Sequence, residues 1–311
     1  MQISKIKTKI EQTGIKYFIH DVFNVMTVNK TDFNWRCRAL KKDISDYTML
    51  KKRYGYLVEQ TDWTVRSTDA TPKRIWICWF QGEENAPDIV RMCISSVKEA
   101  FNDYDIIVIT DKNIDEFIQI PQYIKDKKQK GIIKPTHFSD LIRLELLVKY
   151  GGIWLDSTVL CGSRKLVDTL NQMDSELFMF KDMFTLDKYI AVSSWFIYAK
   201  KQNPFLKTVR NMLFEYWKTE NHMCNYFLFH LFTCIVAEFK TEEWEKIPAY
   251  SCQPPHILQN ELFDIYNEKR FDQIMGMSSF HKLSYKFEHE KFEQGNTFYQ
   301  YLKKLYLEEK A

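Results

Sequence analysis

The sequence has little glycine and little proline, with 9 and 8 residues in a chain of 311. Collagen-like and linker-like proteins need far more of both, so those classes are excluded. Hydrophobic residues make up 45% of the chain and aromatic residues 15%. This composition can form a packed core and argues against a disordered chain. The length suits one large domain or two modest ones.

The chain also lacks a strong excess of charge of one sign, since 44 basic and 41 acidic residues leave a formal net charge of +3. We therefore expect no nucleic acid as a partner. No signal peptide is visible, and no stretch reaches the roughly 20 apolar residues of a membrane-spanning helix. We expect a cytoplasmic protein. Lys5, Lys7, Lys9 and Lys16 would suit a helix lying on the inner membrane face, but a solvated helix face is the favoured interpretation.

No Cys-x-x-Cys pair is present, and the number of cysteines, seven, is odd. This disfavours both a zinc site and a disulfide framework. Cys78, Cys93 and Cys234 lie in apolar stretches, where reduced cysteines act as small core residues. Reduced cysteines fit the reducing cytoplasm.

Hydrophobic patterns divide the chain into three parts. Residues 1–70 are predicted to be a helical N-terminal accessory region, residues 71–290 the main domain, and residues 291–311 a C-terminal helical tail. The lysine-rich segment 125–134 is predicted to be a mobile loop. In the second half, the patterns predict strands at 177–180 and 190–199, a helix beginning at Asn203-Pro204, an apolar helix at 225–239 and a helix-rich part after Pro254-Pro255.

The main domain begins with a strand, a helix and a second strand. Residues 75–80 form an apolar run, residues 87–101 have helical spacing, and residues 105–111 form another apolar run. This order predicts a βαβ unit with a parallel sheet, and hence an α/β fold. The loop after the first strand has neither G-x-G-x-x-G nor a phosphate-loop lysine. Ordinary dinucleotide-binding and P-loop domains are therefore disfavoured.

Candidate site residues lie in the block that begins at Thr136. A helix that is apolar nearly all round is predicted to be buried and to end at Gly151, before a strand that ends at Asp156. Ligands bind at that end of strands in open α/β sheets. Asp140 and Arg143 share one helix face and can pair. The helix alone leaves two interpretations open: an internal ion pair, or a site in which Arg143 binds phosphate or ribose and Asp140 binds a sugar hydroxyl.

The segment from Ser139 to Val159 resembles the characteristic block of sugar transferases with a GT-A (Rossmann-like) fold. It is similar to family 32, to the clostridial glucosylating toxins and most closely to the capsular polysaccharide synthesis proteins. The resemblance implies that Asp140 and Arg143 contact the donor sugar, that Trp154 is the aromatic residue of the motif and that Asp156 is the first Asp of an Asp-x-Asp metal motif. We therefore expect Asp140, Arg143 and Asp156 to be the catalytic residues, with Mn²⁺ or Mg²⁺ as cofactor.

The resemblance extends more loosely over residues 73–290. It implies that Trp79 or Phe80 stacks on the nucleotide base, with Gln81 beside them in the donor site, and that His281 and Lys282 close over the metal and the diphosphate. The implied metal ligands are Asp156, Thr158 and His281. Thr158 departs from the motif, because a hydroxyl is neutral and a poorer ligand than the second carboxylate.

The resemblance implies a glycosyltransferase that moves a sugar, with retention, from a nucleoside-diphosphate donor such as a UDP-sugar. The acceptor would be a hydroxyl of a polysaccharide or lipid-linked glycan in surface or capsular polysaccharide synthesis. Two alternatives stay open: a non-catalytic nucleotide-sugar-binding or scaffold protein, and an α/β domain whose Asp140–Arg143 pair is structural. Trp195 and Phe196 are candidates for the acceptor side, and Tyr226 and His230 for the site. For Trp195, Phe196 and His230, a place in the core is the favoured interpretation.

Overall fold

The computed structural model describes residues 32–181 and 190–308, with side chains from residue 40, and the isolated helical positions Ile15, Ile19 and Val22. The predicted surface helix with lysines 5 to 16 therefore lies outside the described residues. A five-stranded sheet forms the centre of the molecule. Its strands are β1 (Arg74–Cys78), β2 (Asp105–Ile109), β3 (Gly152–Asp156), β5 (Leu177–Lys181) and β6 (Val192–Ala199).

The strands lie in the order β2-β1-β3-β6-β5. β1 is parallel to β2 and β3, whereas β6 runs antiparallel to both β3 and β5. The predicted α/β class and parallel βαβ unit are thus confirmed. A second, two-stranded sheet pairs β4 (Val159–Cys161) with β7 (Phe280–Lys282) in antiparallel register.

Helices cover both faces of the central sheet. The long ones are α1 (Asp32–Tyr54), α3 (Asp88–Ala100), α6 (Pro135–Tyr150), α8 (Pro204–Thr219), α9 (Leu228–Phe239) and α12 (Glu268–Met277). The shorter ones are α2 (Tyr56–Glu59), α4 (Ile114–Phe117), α5 (Gln122–Gln129), α7 (Lys165–Gln172), α10 (Thr241–Glu245), α11 (Ile257–Glu261), α13 (His289–Phe292) and α14 (Phe298–Lys303). A π-helical turn at Lys304–Glu308 and 3-10 turns at Glu83–Asn85 and Pro254–His256 complete the secondary structure of the described residues.

Side chains alternate between the two faces of the sheet, as strand geometry requires. Trp76 and Trp154 pack on the face that α6, α8 and α9 cover. Ile75, Ile77 and Ile153 pack on the opposite face with α3 and α7. Because both faces are covered, these strands read as continuous apolar runs rather than as alternating patterns.

The turn between α6 and β3 depends on two glycines with positive φ. Gly151 has a φ of 71° and Gly152 a φ of 103°. A Cβ atom on Gly152 would lie 2.6 Å from the carbonyl oxygen of Arg74, so the backbones of β1 and β3 approach closely only because no side chain is there. The carbonyl of Gly151 also accepts a hydrogen bond from the Trp76 indole at 3.0 Å. The turn therefore fixes where β3 begins, and with it where Asp156 lies.

The lysine-rich segment differs from its prediction as a mobile loop, because the structure has helix α5 there. Ile124 is buried, which anchors one face of the helix. Lys127 donates to the carbonyls of Trp217 and of Glu220 at the end of α8. Lys127 is thus held by acceptors that lie about 90 residues away in the chain, and the composition of the segment itself does not reveal this contact.

The regions at either end of the main domain both pack against it. α1 and α2 lie against α8 and α9, through contacts such as the one between Tyr54 and Thr219. The C-terminal helices pack on α3, where Lys303 pairs with Asp88 and Ser95 donates to the carbonyl of Tyr306. Among the described residues, no helix combines the length and the apolar character needed to cross a membrane.

Candidate functional site

A cleft of about 600 Å³ opens at the carboxyl edge of the parallel strands. The register pairs Cys78 at the end of β1 with Asp156 at the end of β3, so the residues that follow both strands meet there. α6 contributes Asp140 and Arg143 to the cleft, β7 contributes Lys282, and the segment after β7 contributes Tyr285. The structure therefore brings together the helix, the strand end and the C-terminal segment that the sequence singled out.

Arg143 lies at the centre of the cluster and is only 3% exposed. Its Nη1 donates to Asp140 Oδ1 at 2.6 Å, and its Nη2 donates to Asp156 Oδ1 at 3.0 Å. The guanidinium also lies 4.8 Å from the centre of the Trp154 ring. Cation–π contact and two carboxylate partners together compensate for burying this charge. Arg143 thus joins α6 to β3.

Both carboxylate oxygens of Asp156 face hydrogen-bond donors. Oδ1 accepts from Arg143 and, at 3.0 Å, from the Trp154 indole, while Oδ2 lies 3.4 Å from Lys282 Nζ. Burial would raise the pKa of this carboxyl, but Lys282 and Arg143 outweigh it and hold the pKa below its usual value. Asp156 is therefore an ionised carboxylate at neutral pH, and 29% of its side chain stays exposed to the cleft.

Asp140 shares Arg143 with Asp156 but titrates differently. Burial raises the pKa of Asp140 to about 6, with Asp156 reinforcing the shift and Arg143 opposing it. Its Oδ2 lies 3.6 Å from His137 Nδ1, beyond hydrogen-bonding distance. Burial lowers the pKa of His137 to about 4, so this ring is neutral at physiological pH. The second oxygen of Asp140 can therefore accept a hydrogen bond from a ligand.

Lys282 approaches the site through the small β4–β7 sheet. The register pairs Lys282 with Val159, next to Thr158. The backbone of Leu283 donates to the carbonyl of Thr158 at 2.8 Å, and Lys282 Nζ donates to the Thr158 hydroxyl at 2.5 Å. The ammonium thus contacts both residues that correspond to the metal motif.

The structure does not bring His281 into this cleft, so its prediction as a metal ligand receives no support. Neighbouring strand residues point to opposite sides, so a Lys282 that faces Thr158 directs His281 away from it. The His281 ring is fully buried near Gly162, and neither ring nitrogen has a hydrogen-bond partner among the described residues. Burial lowers its pKa to about 4, which keeps the ring neutral.

The predicted base-binding residues all line the cleft. Trp79 is half-buried and contacts Tyr285 edge-on, with ring centres 5.4 Å apart. Phe80 packs against Phe138 at 5.6 Å, and Gln81 is exposed. Trp154 also borders the cleft but is buried, and its indole is committed to Asp156. Its position suits orienting that carboxylate rather than stacking on a ligand.

The cleft also contains residues for which the sequence favours a place in the core. Trp195, Tyr226 and His230 line the cleft, whereas Phe196 packs within the core as favoured. Tyr226 is 59% exposed, and His230 Nδ1 is buried without a hydrogen-bond partner among the described residues. Burial and Arg143 together lower the pKa of His230 to about 3. The one available signal was the polar pair Tyr226 and His230, four residues apart in an apolar segment.

The described residues fit a divalent metal poorly. Nowhere among them do three or more His, Cys, Asp or Glu side chains converge in a way that could hold a metal ion. At the motif itself, the oxygen donors are one carboxylate, on Asp156, and one neutral hydroxyl, on Thr158, and the Lys282 ammonium contacts both. Mn²⁺ and Mg²⁺ prefer several anionic or carbonyl oxygens. Metal dependence thus stays a prediction, and these side chains argue against a tightly held ion.

Curated proteins similar to this chain include two fungal enzymes. O-glycosyltransferase braB of Annulohypoxylon truncatum is 25% identical over 47% of this chain, and glycosyltransferase afumC of Aspergillus fumigatus is 31% identical over 29% of it. The matches span 38% and 25% of those proteins, so this chain corresponds to well under half the length of either. Among solved structures, PaToxG Glycosyltransferase aligns with 86% of this chain and 98% of its own, at 15% identity and a TM-score of 0.38.

A family model described as capsular polysaccharide synthesis protein matches residues 26–302. This range contains the central sheet, the cleft and each of the site residues described above. The chain therefore belongs to the capsular polysaccharide synthesis protein family.

Proposed function

We propose that this protein is a glycosyltransferase that takes a sugar from a nucleoside-diphosphate donor, such as a UDP-sugar, and attaches it to a hydroxyl group. One observation carries the proposal: two cations, Arg143 and Lys282, are held on one ionised carboxylate, Asp156, at the strand edge where α/β sheets bind ligands. The acceptor we propose is a polysaccharide or lipid-linked glycan in surface polysaccharide synthesis, used in the cytoplasm at the inner membrane face. The name of the family supports this acceptor.

In the orientation that we propose, the donor lies along the cleft. The nucleotide base lies against Trp79 and Phe80, which follow β1. The diphosphate lies beside Lys282, and the sugar lies over Asp140 and Asp156, where the unused oxygen of Asp140 accepts a sugar hydroxyl. This places the bond to be broken close to the clustered charges.

The reaction breaks the bond between the anomeric carbon and the diphosphate oxygen, and the diphosphate leaves with the electron pair. The acceptor oxygen then bonds to that carbon, and its proton passes to the released diphosphate. The Lys282 ammonium offsets the negative charge that develops on the leaving group, while Arg143 orients Asp156 and adds positive potential. Because the acceptor proton passes to the departing diphosphate, the acceptor attacks from the face that the diphosphate leaves, and the anomeric configuration is retained. Such a reaction does not need two free carboxylates on either side of the bond, unlike the hydrolases.

The acceptor enters beside Trp195, Tyr226 and His256, on the other side of the cleft. Trp195 Nε1 is buried without a hydrogen-bond partner among the described residues. The Trp195 and His256 rings contact each other edge-on, with ring centres 5.9 Å apart, and form an aromatic surface. Aromatic faces with a few polar atoms suit the apolar and hydroxyl-bearing sides of a sugar.

The test incubates the protein with radiolabelled UDP-sugars and measures release and transfer of the sugar. Asp156→Asn removes the charge that holds Arg143 and Lys282, and we expect turnover to fall by about 100-fold or more, as when a preorganised charge partner is lost. Asp272→Asn is the matched control, because Asp272 is exposed on α12, outside the cleft. Equal turnover by the two variants would disprove the site.

A second candidate is a nucleotide-sugar-binding protein without catalysis, which Thr158 favours because it removes one motif carboxylate. Such a protein would bind UDP in a thermal-shift assay but would neither hydrolyse nor transfer the sugar. Binding without turnover across the donor panel would therefore select this alternative over the transferase.

A further inference from the structure

We propose that the Lys282 ammonium takes the place of a divalent cation in this site, so that the protein binds a nucleoside diphosphate without metal. The inference rests on the proposed function, because it concerns how the same cleft holds the donor. It differs from the expectation, based on the motif, that Mn²⁺ or Mg²⁺ is the cofactor. Three observations carry it.

The first observation is the position of the ammonium. Lys282 Nζ lies 2.5 Å from Thr158 Oγ1 and 3.4 Å from Asp156 Oδ2. These are the side-chain oxygens at the first and third positions of the motif, which an ion held by that motif would have to contact. The space between them is therefore filled by a positive charge that belongs to the chain.

The second observation is the balance of charge. Arg143 and Lys282 offset Asp140 and Asp156, so these four side chains are neutral together when both carboxyls are ionised. A divalent ion between Asp156 and Thr158 would lie within contact distance of an ammonium and would gain only one anionic ligand. Like charges at that distance repel each other. A diphosphate can instead contact the ammonium directly, without a bridging ion.

The third observation is that strand pairing fixes this lysine in place. Lys282 belongs to β7, which pairs with β4 directly after Thr158, and the next residue, Leu283, donates its backbone N–H to the Thr158 carbonyl. The lysine side chain is 20% exposed, unlike a solvated surface lysine. The backbone on both sides of the contact is thus hydrogen-bonded, and the ammonium is preorganised before any donor arrives.

The experiment measures binding of UDP, GDP and ADP by isothermal titration calorimetry, once in EDTA and once in Mn²⁺. We expect the wild-type protein to bind its preferred nucleotide with a Kd that differs by less than about twofold between the two buffers. Lys282→Met should weaken binding in EDTA by about tenfold or more, as expected for loss of a charge-assisted contact. Lys282→Arg should retain binding in EDTA, because it keeps the positive charge.

Lys269→Met is the matched control, since Lys269 is exposed on α12 and the same charge is removed outside the cleft. Circular dichroism verifies that each variant is folded. Wild-type protein that binds a nucleotide only with Mn²⁺ would overturn the inference and leave the proposed function standing. Wild-type protein that binds no nucleotide in either buffer would overturn both.

A double variant tests the opposite arrangement, with a second carboxylate at the motif and no ammonium beside it. Thr158→Asp together with Lys282→Met restores the second carboxylate and removes the ammonium. We expect this variant to bind Mn²⁺, as seen by electron paramagnetic resonance, and to bind nucleotide at least about tenfold more tightly with Mn²⁺ than in EDTA, since each factor of ten needs only about 1.4 kcal/mol. If its nucleotide affinity is the same in both buffers, the position between residues 156 and 158 is not the cation position, and the proposal is wrong.

Discussion

The two sides of the cleft are built differently. One side, the strand wall, consists of residues 75–80 and 136–158 and carries Asp140, Arg143 and Asp156 in one hydrogen-bonded cluster. The other side, the closing wall, consists of residues 190–195, 226–230, 252–256 and 282–286 and is mainly aromatic and hydroxyl-bearing. Among the described residues of the closing wall, Lys282 is the one that brings a charge to the strand-wall carboxylates. In the function that we propose, the strand wall holds the groups that act on the donor, whereas the closing wall binds the acceptor.

The largest effect that we expect comes from Arg143→Met on the strand wall. The substitution leaves Asp140 buried without its partner and should lower the free energy of unfolding by about 3–5 kcal/mol. Urea unfolding followed by circular dichroism measures this. The double variant with Asp140→Asn should regain most of the stability, because no charge is then left unpaired. UDP affinity should stay low in both variants. A double variant with full affinity would show that the pair is structural only.

The second-largest effect that we expect tests whether the strand wall depends on the turn between α6 and β3. Gly152→Ala brings a Cβ atom to within 2.6 Å of the Arg74 carbonyl at a φ of 103°. We expect a loss of about 2–4 kcal/mol from strain and close contact. Gly276→Ala in α12 is the control, since nothing lies within 4 Å of its added Cβ. It should be neutral or stabilise by up to about 1 kcal/mol. Similar losses in both would contradict this account of the turn.

A smaller effect distinguishes the two carboxylates by pH. As pH rises, an unfolded chain releases the Asp140 proton near pH 4, whereas the folded protein keeps it until about 6. The folded state therefore binds more protons in this window, and its stability must fall as pH rises. Relative to Asp140→Asn, wild-type stability should drop by a few kcal/mol at most between about pH 4 and pH 7, at about 1.4 kcal/mol per pKa unit. A constant difference would show that the pKa of Asp140 is not raised.

The smallest effect concerns the closing wall. Tyr226→Ala should change stability by less than about 0.5 kcal/mol, since the side chain is largely exposed. If this wall holds the acceptor, the KM for acceptor should rise by about tenfold, which is about 1.4 kcal/mol of binding energy. The KM for donor should not change. Tyr56→Ala, an exposed tyrosine on α2, is the control. A change in donor KM instead would place Tyr226 on the donor side.

The strand wall could be predicted from sequence because its signals are local. Each apolar run is continuous in sequence, and the helix that ends at Gly151 lies within a few residues of the carboxylate at the end of β3. Asn203 likewise marked the start of α8, and the structure confirms it as the N-cap, with its side chain accepting from the Leu206 N–H at 3.2 Å. The pairing of Arg143 with both Asp140 and Asp156 adds a contact that helix spacing alone could not provide.

The closing wall could not be predicted in the same way. Lys282 meets Thr158 across 124 residues, through two strands of only three residues each. Strands this short have no readable periodicity, so the sequence could not show that Lys282 faces the site and His281 faces away. A long-range contact also explains α5, where Lys127 donates to the carbonyl of Glu220 just after α8. Tyr226 and His230 lie in an apolar segment, where a core position was the natural expectation.

The long separation between Thr158 and Lys282 has a consequence for the timing of synthesis. Ribosomes add about 5–20 residues per second, so residue 282 follows residue 158 by on the order of ten seconds. Until then, the emerging chain has its carboxylates without the ammonium that neutralises one of them. We therefore expect the nascent protein to bind nucleotide weakly, and the donor to bind only after β7 has paired with β4.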